Sequence, residues 1–156
     1  MRIILEGPDG SGKTTLAKIL AEKYGLDICH CTQHDPADFN FYKETMRKEN
    51  VVWDRHTIGE LIYPIVFDRK PKVTAHEAKA IIDMAQASKA KIFVLTCDLN
   101  VLADRIAARQ TEHPKIVENL EFIDKSFREC AKWMKVPIID TSKMTLDEIF
   151  NLCEAE

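Results

Sequence analysis

Glycine is scarce in this sequence of 156 residues, which contains five glycines and five cysteines. The cysteine count is odd and no two cysteines form a C-x-x-C pair, so we expect no disulfide framework. A zinc site at Cys29-His30-Cys31 with His34 is disfavoured, because no second ligand pair follows at finger spacing. Cysteines that alternate along a strand behave as small apolar residues. These features predict free thiols in a reduced, cytoplasmic protein.

Long apolar segments and an excess of basic charge are absent as well. Only three consecutive apolar residues follow Arg2, which is too short for the core of a signal peptide. No run approaches the roughly 18 apolar residues that a membrane span requires. The 22 basic and 25 acidic side chains give a formal charge of −3, which excludes a surface that is basic throughout but allows a local basic cleft. The composition predicts one globular domain over residues 1–156 and excludes disordered, collagen-like and coiled-coil chains.

Short apolar runs alternate with helix-length segments from end to end. Strands are predicted at 2–6, 27–32, 51–54, 91–97 and 136–139. Helices are predicted at 13–24, late in 36–50, at 58–67 with a break at Pro64, from the Thr74 capping box onward, at 99–109, 117–133 and 146–153. Continuously apolar strands separated by helices indicate a parallel sheet covered on both faces. The predicted class is α/β: a five-stranded parallel sheet flanked by helices, with its ligand site at the carboxyl ends of the strands.

Three of the five glycines fall between residues 7 and 12. The segment Gly7-Pro8-Asp9-Gly10-Ser11-Gly12-Lys13-Thr14 satisfies G-x-x-x-x-G-K-[ST] between a predicted strand and a predicted helix, which is typical of a P-loop NTPase. The glycines let backbone N–H groups converge on an anion, and the helix adds its positive N-terminal end. Lys13 suits the β- and γ-phosphates, and the Thr14 hydroxyl suits Mg²⁺. We therefore predict ATP and Mg²⁺ as cofactors, bound by Gly7, Asp9, Gly10, Ser11, Gly12, Lys13, Thr14 and Thr15.

Two acidic residues in predicted loops each allow two interpretations. Asp9 is either a turn-favouring residue before Gly10 or a hydrogen-bond acceptor for a hydroxyl of the second substrate. Asp35 is held extended by Pro36. It is either a plain turn residue or a general base that takes the proton of an acceptor hydroxyl.

The third predicted strand ends in Asp54-Arg55-His56. A carboxylate at this place can complete the Mg²⁺ shell together with Thr14, usually through water. Arg55 can grip a second anion in a bidentate manner, and a surface salt bridge is its plainer interpretation. We predict a metal-binding role for Asp54 and an acceptor-binding role for Arg55.

Arg105 and Arg109 lie four residues apart, so they share one helix face. A short polar loop of Gln110, Thr111, Glu112 and His113 follows them. On a mobile lid around 105–116, the two arginines could neutralise charge on the transferring phosphoryl group and exclude water. The alternative is a solvated basic stripe.

Taken together, these motifs resemble the thymidylate kinase family of P-loop nucleoside monophosphate kinases. Residues 6–15 are similar to that family's E-G-x-D-G-x-G-K-[ST]-T, and Asp54-Arg55-His56 to its D-R-[YFH] element. The resemblance implies that Asp9 approaches the acceptor sugar, that Arg55 binds the acceptor phosphate and that Tyr63 lines the sugar pocket. It also implies a homodimer and a final loop, Asp140-Thr141-Ser142, against adenine.

The acceptor side departs from the family pattern. Pro64 stands where the family usually has Gln, Lys115 replaces a lid arginine, and Asp35-Pro36 occupies the place of R-E-P-G-G. The expected activity is ATP-dependent phosphoryl transfer to a nucleotide or nucleoside, with dTMP or a related deoxynucleotide as acceptor. Two alternatives stay open: a kinase that phosphorylates nucleic acid, at a modified base or a strand end, and an NTP-binding module without turnover.

Overall fold

The computed structural model describes residues 1–110 and 112–155. Thr111, which the sequence placed in the lid loop, lies outside the described residues, as does Glu156. Within the described ranges a single sheet contains β1 (Arg2–Glu6), β2 (Asp27–His30), β3 (Val51–Asp54), β4 (Lys91–Thr96) and β5 (Ile138–Asp140). The strands run in the order β2-β3-β1-β4-β5, and every neighbouring pair is parallel. This arrangement confirms the predicted α/β class.

Helices connect the strands and cover both faces of the sheet. They are α1 (Lys13–Tyr24), α2 (Phe39–Thr45), α3 (Gly59–Val66), α4 (Ala75–Ala87), α5 (Leu99–Arg109), α6 (Pro114–Glu118), α7 (Leu120–Met134) and α8 (Leu146–Glu154). The Thr74 hydroxyl accepts a hydrogen bond from the Glu77 N–H, and the Glu77 carboxylate accepts one from the Thr74 N–H, so the predicted capping box starts α4. Among the described residues, no helix is long and apolar enough to cross a membrane.

The hydrophobic core consists of two clusters, one on each face of the sheet. Because side chains alternate along a strand, neighbouring residues of β1 and β3 belong to opposite clusters. One cluster joins Ile4, Trp53 and Val94 of the sheet to Ile62, Ile81, Leu102 and Phe127 of the helices. The other joins Ile3, Val52 and Leu95 to Leu16, Leu20 and Ile149. A helix layer therefore packs on each face, as the three-layer prediction requires.

Two helix predictions need correction. Pro64 does not break α3, which continues to Val66. Proline removes one N–H in this short helix, and the Phe67 and Arg69 N–H groups close its end on Tyr63 O and Pro64 O. Ile65 of this apolar segment is 66% exposed, whereas its neighbours Pro64 and Val66 are buried.

The helix predicted over 117–133 is two helices, α6 and α7. Pro114 at the first turn and the His113 ring, which accepts the Lys115 N–H, start α6 early. Asn119 separates the two helices with a non-helical backbone. The second helix then presents its apolar face to the sheet.

The register of the sheet brings strand ends together. His30 pairs with Asp54 across β2 and β3, and Leu5 pairs with Asp54 across β1 and β3. The phosphate-loop segment leaves β1 at the same edge. Residues that are far apart in the sequence therefore face one region at the carboxyl ends of the strands.

Candidate active site

The phosphate-loop segment curls between β1 and α1 with three glycines at positive φ. Gly7 has a φ of 137° and Gly12 a φ of 92°, conformations that L side chains rarely adopt. A Cβ at Gly7 would also collide with the carbonyl oxygen of Leu95 in β4. The glycine at this position therefore serves both the turn and the close approach of the loop to the sheet.

Lys13 lies inside this loop rather than in solvent, with 5% of its surface exposed. Its ammonium donates hydrogen bonds to the carbonyl oxygens of Gly7 at 2.8 Å and Pro8 at 2.7 Å. Burial, together with the nearby charge of Arg55, lowers the pKa of Lys13 to about 8. Ser11 is fully buried beside it, whereas Thr15 lines a separate cavity over α1.

Thr14 and Asp54 meet at the start of α1. The Thr14 hydroxyl donates to Asp54 Oδ2 at 2.6 Å, and His30 Nδ1 lies 3.4 Å from the same oxygen. The other carboxylate oxygen, Asp54 Oδ1, is buried and has no hydrogen-bond partner among the described residues. An unpaired buried carboxylate oxygen beside a hydroxyl fits a hard divalent cation such as Mg²⁺. Within the described residues, no group of three or more His, Cys, Asp and Glu is placed to hold a metal ion.

Asp9 connects the loop to Arg55 and Tyr63, two residues predicted to bind the second substrate. It is 3% exposed and accepts hydrogen bonds from Arg55 Nη2 at 2.5 Å and from the Tyr63 hydroxyl at 2.6 Å. Burial alone would raise the pKa of Asp9, but the charges of Arg55 and Lys13 and the Tyr63 hydrogen bond outweigh it, so the pKa lies below its usual range. Asp9 is therefore an ionised anchor for Arg55 and Tyr63, which is more than a turn residue needs.

A cavity of about 740 Å³ opens on the far side of this anchor. We call it the acceptor cavity. Its walls carry Glu6, Asp9, His30, Tyr42, Arg55, Glu60, Tyr63, Phe67, Arg69, Glu112 and Phe127. Burial raises the pKa of Glu6 to about 7, although its carboxylate accepts the Ile58 N–H at 2.6 Å. The cavity thus combines aromatic walls with several carboxylates and two arginines.

A second cavity, of about 570 Å³, lies on the other side of the phosphate loop. It is lined by apolar residues of α1 and α8, by Thr141 and by both predicted lid arginines. A small cleft along the loop is lined by Asp9, Gly10, Gly12, Lys13, Thr14, Thr15, Arg55 and Arg109. It shares lining residues with both cavities.

The two arginines of α5 occupy different environments. Arg105 Nη1 donates to Gly10 O at 3.1 Å and to Thr141 Oγ1 at 3.2 Å, so this side chain ties α5 to the loop. Arg109 is exposed and lines the loop cleft. Of the two, Arg109 therefore has the freedom that a lid cation needs.

Asp35 is placed apart from the other predicted residues. Its carboxylate accepts the Thr32 N–H at 2.6 Å and the Thr32 hydroxyl at 3.1 Å, and it does not line the acceptor cavity. These contacts are those of a turn residue. Its role as a general base stays a prediction.

Several residues of the acceptor cavity were not singled out from the sequence. Glu6 entered only as the first residue of the loop motif, and Glu60 belonged to no motif. Arg69 entered only as part of the basic surface, with Arg55, Lys70 and Lys72, that a nucleic-acid kinase would need. Glu60 lies in the first turn of α3 and Arg69 just beyond its end, yet they form a two-bonded ion pair. Residues nine apart do not lie together on one face of a helix, so the sequence gives no sign of this contact. The contact forms because the chain turns back after Val66.

This chain is similar in sequence to proteins named as nucleotide kinases. Cytidylate kinase 2 of Borreliella afzelii (strain PKo) is 27% identical over 117 residues, which cover 70% of this chain and 63% of that protein. The match thus spans less than two thirds of that relative. A probable thymidylate kinase of Methanocaldococcus jannaschii is 25% identical, with 97% of this chain and 92% of that protein covered.

Among solved structures, the YorR protein of Bacillus subtilis in complex with phosphorylated GDP has a TM-score of 0.81. It is 26% identical, and the superposition covers 96% of this chain and 91% of YorR. The family model AAA_18, described as an AAA domain, matches residues 3–124, which is more than half of the chain. With its phosphate loop, parallel sheet and paired cavities, this chain belongs to the AAA_18 family of AAA domains.

Proposed function

We propose that this protein transfers the γ-phosphoryl group of Mg-ATP to a nucleotide or nucleoside. The observation that carries the proposal is the position of the phosphate loop between two cavities of 570 and 740 Å³, each of which shares lining residues with one cationic cleft. A protein that only binds a triphosphate needs the 570 Å³ cavity alone. The 740 Å³ acceptor cavity, on the far side of the loop, suits a phosphoryl acceptor.

The donor side supplies charge and position. Phosphate oxygens would replace the carbonyl groups of Gly7 and Pro8 as partners of the Lys13 ammonium. Thr14 and Asp54 would hold Mg²⁺, which neutralises charge on the phosphate oxygens when bound. Arg109 would approach the transferring group from the cleft, while Arg105 keeps α5 against the loop. Catalysis of this kind consists of positioning and charge neutralisation.

The acceptor side would place a hydroxyl or phosphate oxygen against this cleft. Arg55 donates one hydrogen bond from Nη2 to Asp9, and its other N–H donors are available to an acceptor phosphate. Asp9 and Tyr63 would lie beside the acceptor sugar. The motif resemblance favours dTMP or a related deoxynucleotide, and relatives named cytidylate and thymidylate kinase support a nucleotide acceptor.

Phosphorylation of a nucleic acid is less favoured by the contacts around the cavity. Arg69 is paired with Glu60, and Lys72 Nζ donates to Asp35 O at 2.9 Å. These cations are engaged within the chain rather than presented to a polyanion. A small acceptor therefore fits the cavity better.

The deciding experiment measures transfer from labelled ATP to a panel of deoxynucleosides, their monophosphates and single-stranded or duplex DNA. We expect transfer to small acceptors, with little competition from DNA. Transfer to DNA alone would favour the nucleic-acid kinase. ATP binding without transfer to any acceptor would contradict the proposal and favour an NTP-binding module.

A further inference from the structure

The acceptor cavity contains an ion pair that the proposed phosphoryl transfer does not use. Glu60 and Arg69 both line the cavity, and Glu60 is only 7% exposed. Arg69 Nη1 and Nη2 donate to the two carboxylate oxygens of Glu60 at 2.7 and 2.8 Å. This two-bonded geometry fixes the plane of the guanidinium group.

Glu60 fixes the chain that follows α3 as well as the Arg69 side chain. Its Oε1 also accepts the Lys72 N–H at 3.0 Å, so the carboxylate holds both the side chain and the backbone of the loop after α3. An arginine has five N–H donors and no acceptor. With two donors committed to Glu60, Arg69 offers the cavity further donors in a fixed plane and can accept nothing.

Aromatic side chains complete the surroundings of this pair. Tyr63 and Phe67 line the same cavity and are half-buried, whereas Tyr42 and Phe127 are buried in the core. The two half-buried rings are suitable stacking partners for a nucleobase. A base stacked on such a ring would present its edge, rather than its face, to a group in the cavity wall. An edge that meets Arg69 must contribute acceptors.

We propose that the Glu60–Arg69 pair reads the acceptor base and selects bases that carry a carbonyl oxygen where others carry an amino group. This inference rests on the proposed function. Guanine presents O6 and N7 acceptors and thymine presents O4, whereas adenine and cytosine present N6 and N4 amino donors. A donor-only guanidinium pairs with the first set and opposes the amino groups of the second. The substrate class is therefore an oxo-base nucleotide or nucleoside.

The test uses acceptor pairs that differ at a single exocyclic group. Values of kcat/KM are measured for dUMP against dCMP and for dIMP against dAMP, with the matching nucleosides as a second set. We expect the oxo member to be preferred by about tenfold or more, because its carbonyl oxygen accepts a hydrogen bond where the amino group of the other member leaves a buried donor unpaired. Ratios near one, or a preference for the amino members, would overturn the inference.

Substitution of Arg69 assigns the preference to this pair. Arg69→Gln can donate or accept, so both ratios should fall to within about threefold of one. Arg69→Lys keeps the charge beside Glu60 but lacks the planar fork, so it should lose most of the preference even if the glutamine variant folds poorly. Lys70→Gln, at the adjacent exposed cation, is the matched control and should keep the wild-type ratios. Unchanged ratios in both Arg69 variants would overturn the assignment.

A purely structural role for the pair predicts a different pattern, in which all acceptors lose activity by the same factor. Failure of the proposed function is distinguishable as well, because no acceptor would then be phosphorylated. In that case calorimetry of dUMP against dCMP and of dIMP against dAMP still tests base selection. Equal binding within each pair would reject it.

Discussion

The loop cleft and the acceptor cavity share Asp9 and Arg55 but differ in the partners of their cationic side chains. In the cleft, Lys13 is held by neutral carbonyl oxygens, and the Arg109 side chain is exposed. In the acceptor cavity, Arg55 is bonded to the buried carboxylate of Asp9 and Arg69 to that of Glu60. The first region keeps charge for a polyanion, and the second uses charge to fix hydrogen-bond donors in place. Under the proposed function, strength of binding and selectivity would depend on separate ends of one site.

The largest effect is expected when the charge of the cleft is removed. Lys13→Ala should lower phosphoryl transfer by at least about a hundredfold, because it removes a preorganised cation from the transferring group. The fold should remain, since the neighbouring carbonyl groups can be hydrated. Turnover of labelled ATP and the thermal midpoint together check both expectations.

Lys18→Ala is the matched control for that variant. Lys18 is exposed on α1, about 1.4 turns beyond Lys13. Its removal changes the net charge equally and should leave turnover near the wild-type value. Normal turnover by Lys13→Ala, whatever the turnover of Lys18→Ala, would contradict the role of the cleft in phosphoryl transfer.

The two regions also differ in how far the sequence predicts them. Most of the cleft is formed by residues 9–15, whose spacing is dictated by the backbone geometry of the loop, so Gly7 to Thr15 could be assigned from the motif alone. Only Arg55 and Arg109 reach the cleft from other elements. The acceptor cavity draws Glu60, Arg69 and Phe127 from separate elements. Their meeting depends on the path of α3 through Pro64 and on the split of α6 from α7, neither of which the periodicity reveals. The β2-β3-β1-β4-β5 order is likewise a property of long-range pairing.

The next largest effect is expected in stability rather than in turnover. Burial raises the pKa of Glu6 from 4.5 to about 7, so the folded chain holds a proton that the unfolded chain releases. The stabilising contribution of this group is fully present below pH 4.5 and is lost as the pH rises through 7. Glu6→Gln, which mimics the protonated form, should therefore gain stability relative to wild type between pH 5 and 8. The gain should reach at most roughly 3 kcal/mol.

Urea unfolding at pH 5 and pH 8 measures this difference. The midpoints of wild type and Glu6→Gln should agree at pH 5 and diverge at pH 8, with equal slopes. Glu22→Gln, at an exposed position of α1, changes the same charge without burial and should follow the wild-type curve. If the midpoints of wild type and Glu6→Gln differ by the same amount at pH 5 and pH 8, the Glu6 carboxylate is not protonated near neutrality.

A smaller effect is expected from the hydroxyl of Thr14. Thr14→Val preserves shape but removes the hydroxyl that donates to Asp54, so the Mg²⁺ concentration for half-maximal turnover should rise about tenfold. Thr14→Ser retains the hydroxyl and should remain within about twofold of wild type. A magnesium titration at saturating ATP checks both variants. Equal requirements in the two would contradict the metal-binding role of Thr14.

The smallest effect is expected at the contact that joins the two regions. Tyr63→Phe removes the 2.6 Å hydrogen bond to Asp9 but leaves Arg55 bonded to the same carboxylate. A hydrogen bond to a charged group is worth about 1.5–3 kcal/mol, and part of this is recovered because a water or acceptor hydroxyl can replace the phenol. We expect the KM of the acceptor to rise about three- to tenfold.

The KM of ATP separates this variant from a general disturbance of the loop. Asp9 belongs to the loop, but Tyr63 reaches it from the acceptor side, so the change should affect acceptor binding and leave the KM of ATP within about twofold. Tyr24→Phe removes a phenol that donates to Glu154 on the surface, far along α1, and is the matched control. A rise in both KM values for Tyr63→Phe would mean that Asp9 transmits the loss to the phosphate loop. The cleft and the cavity would then act as one unit, because their shared carboxylate could not be altered for one substrate alone.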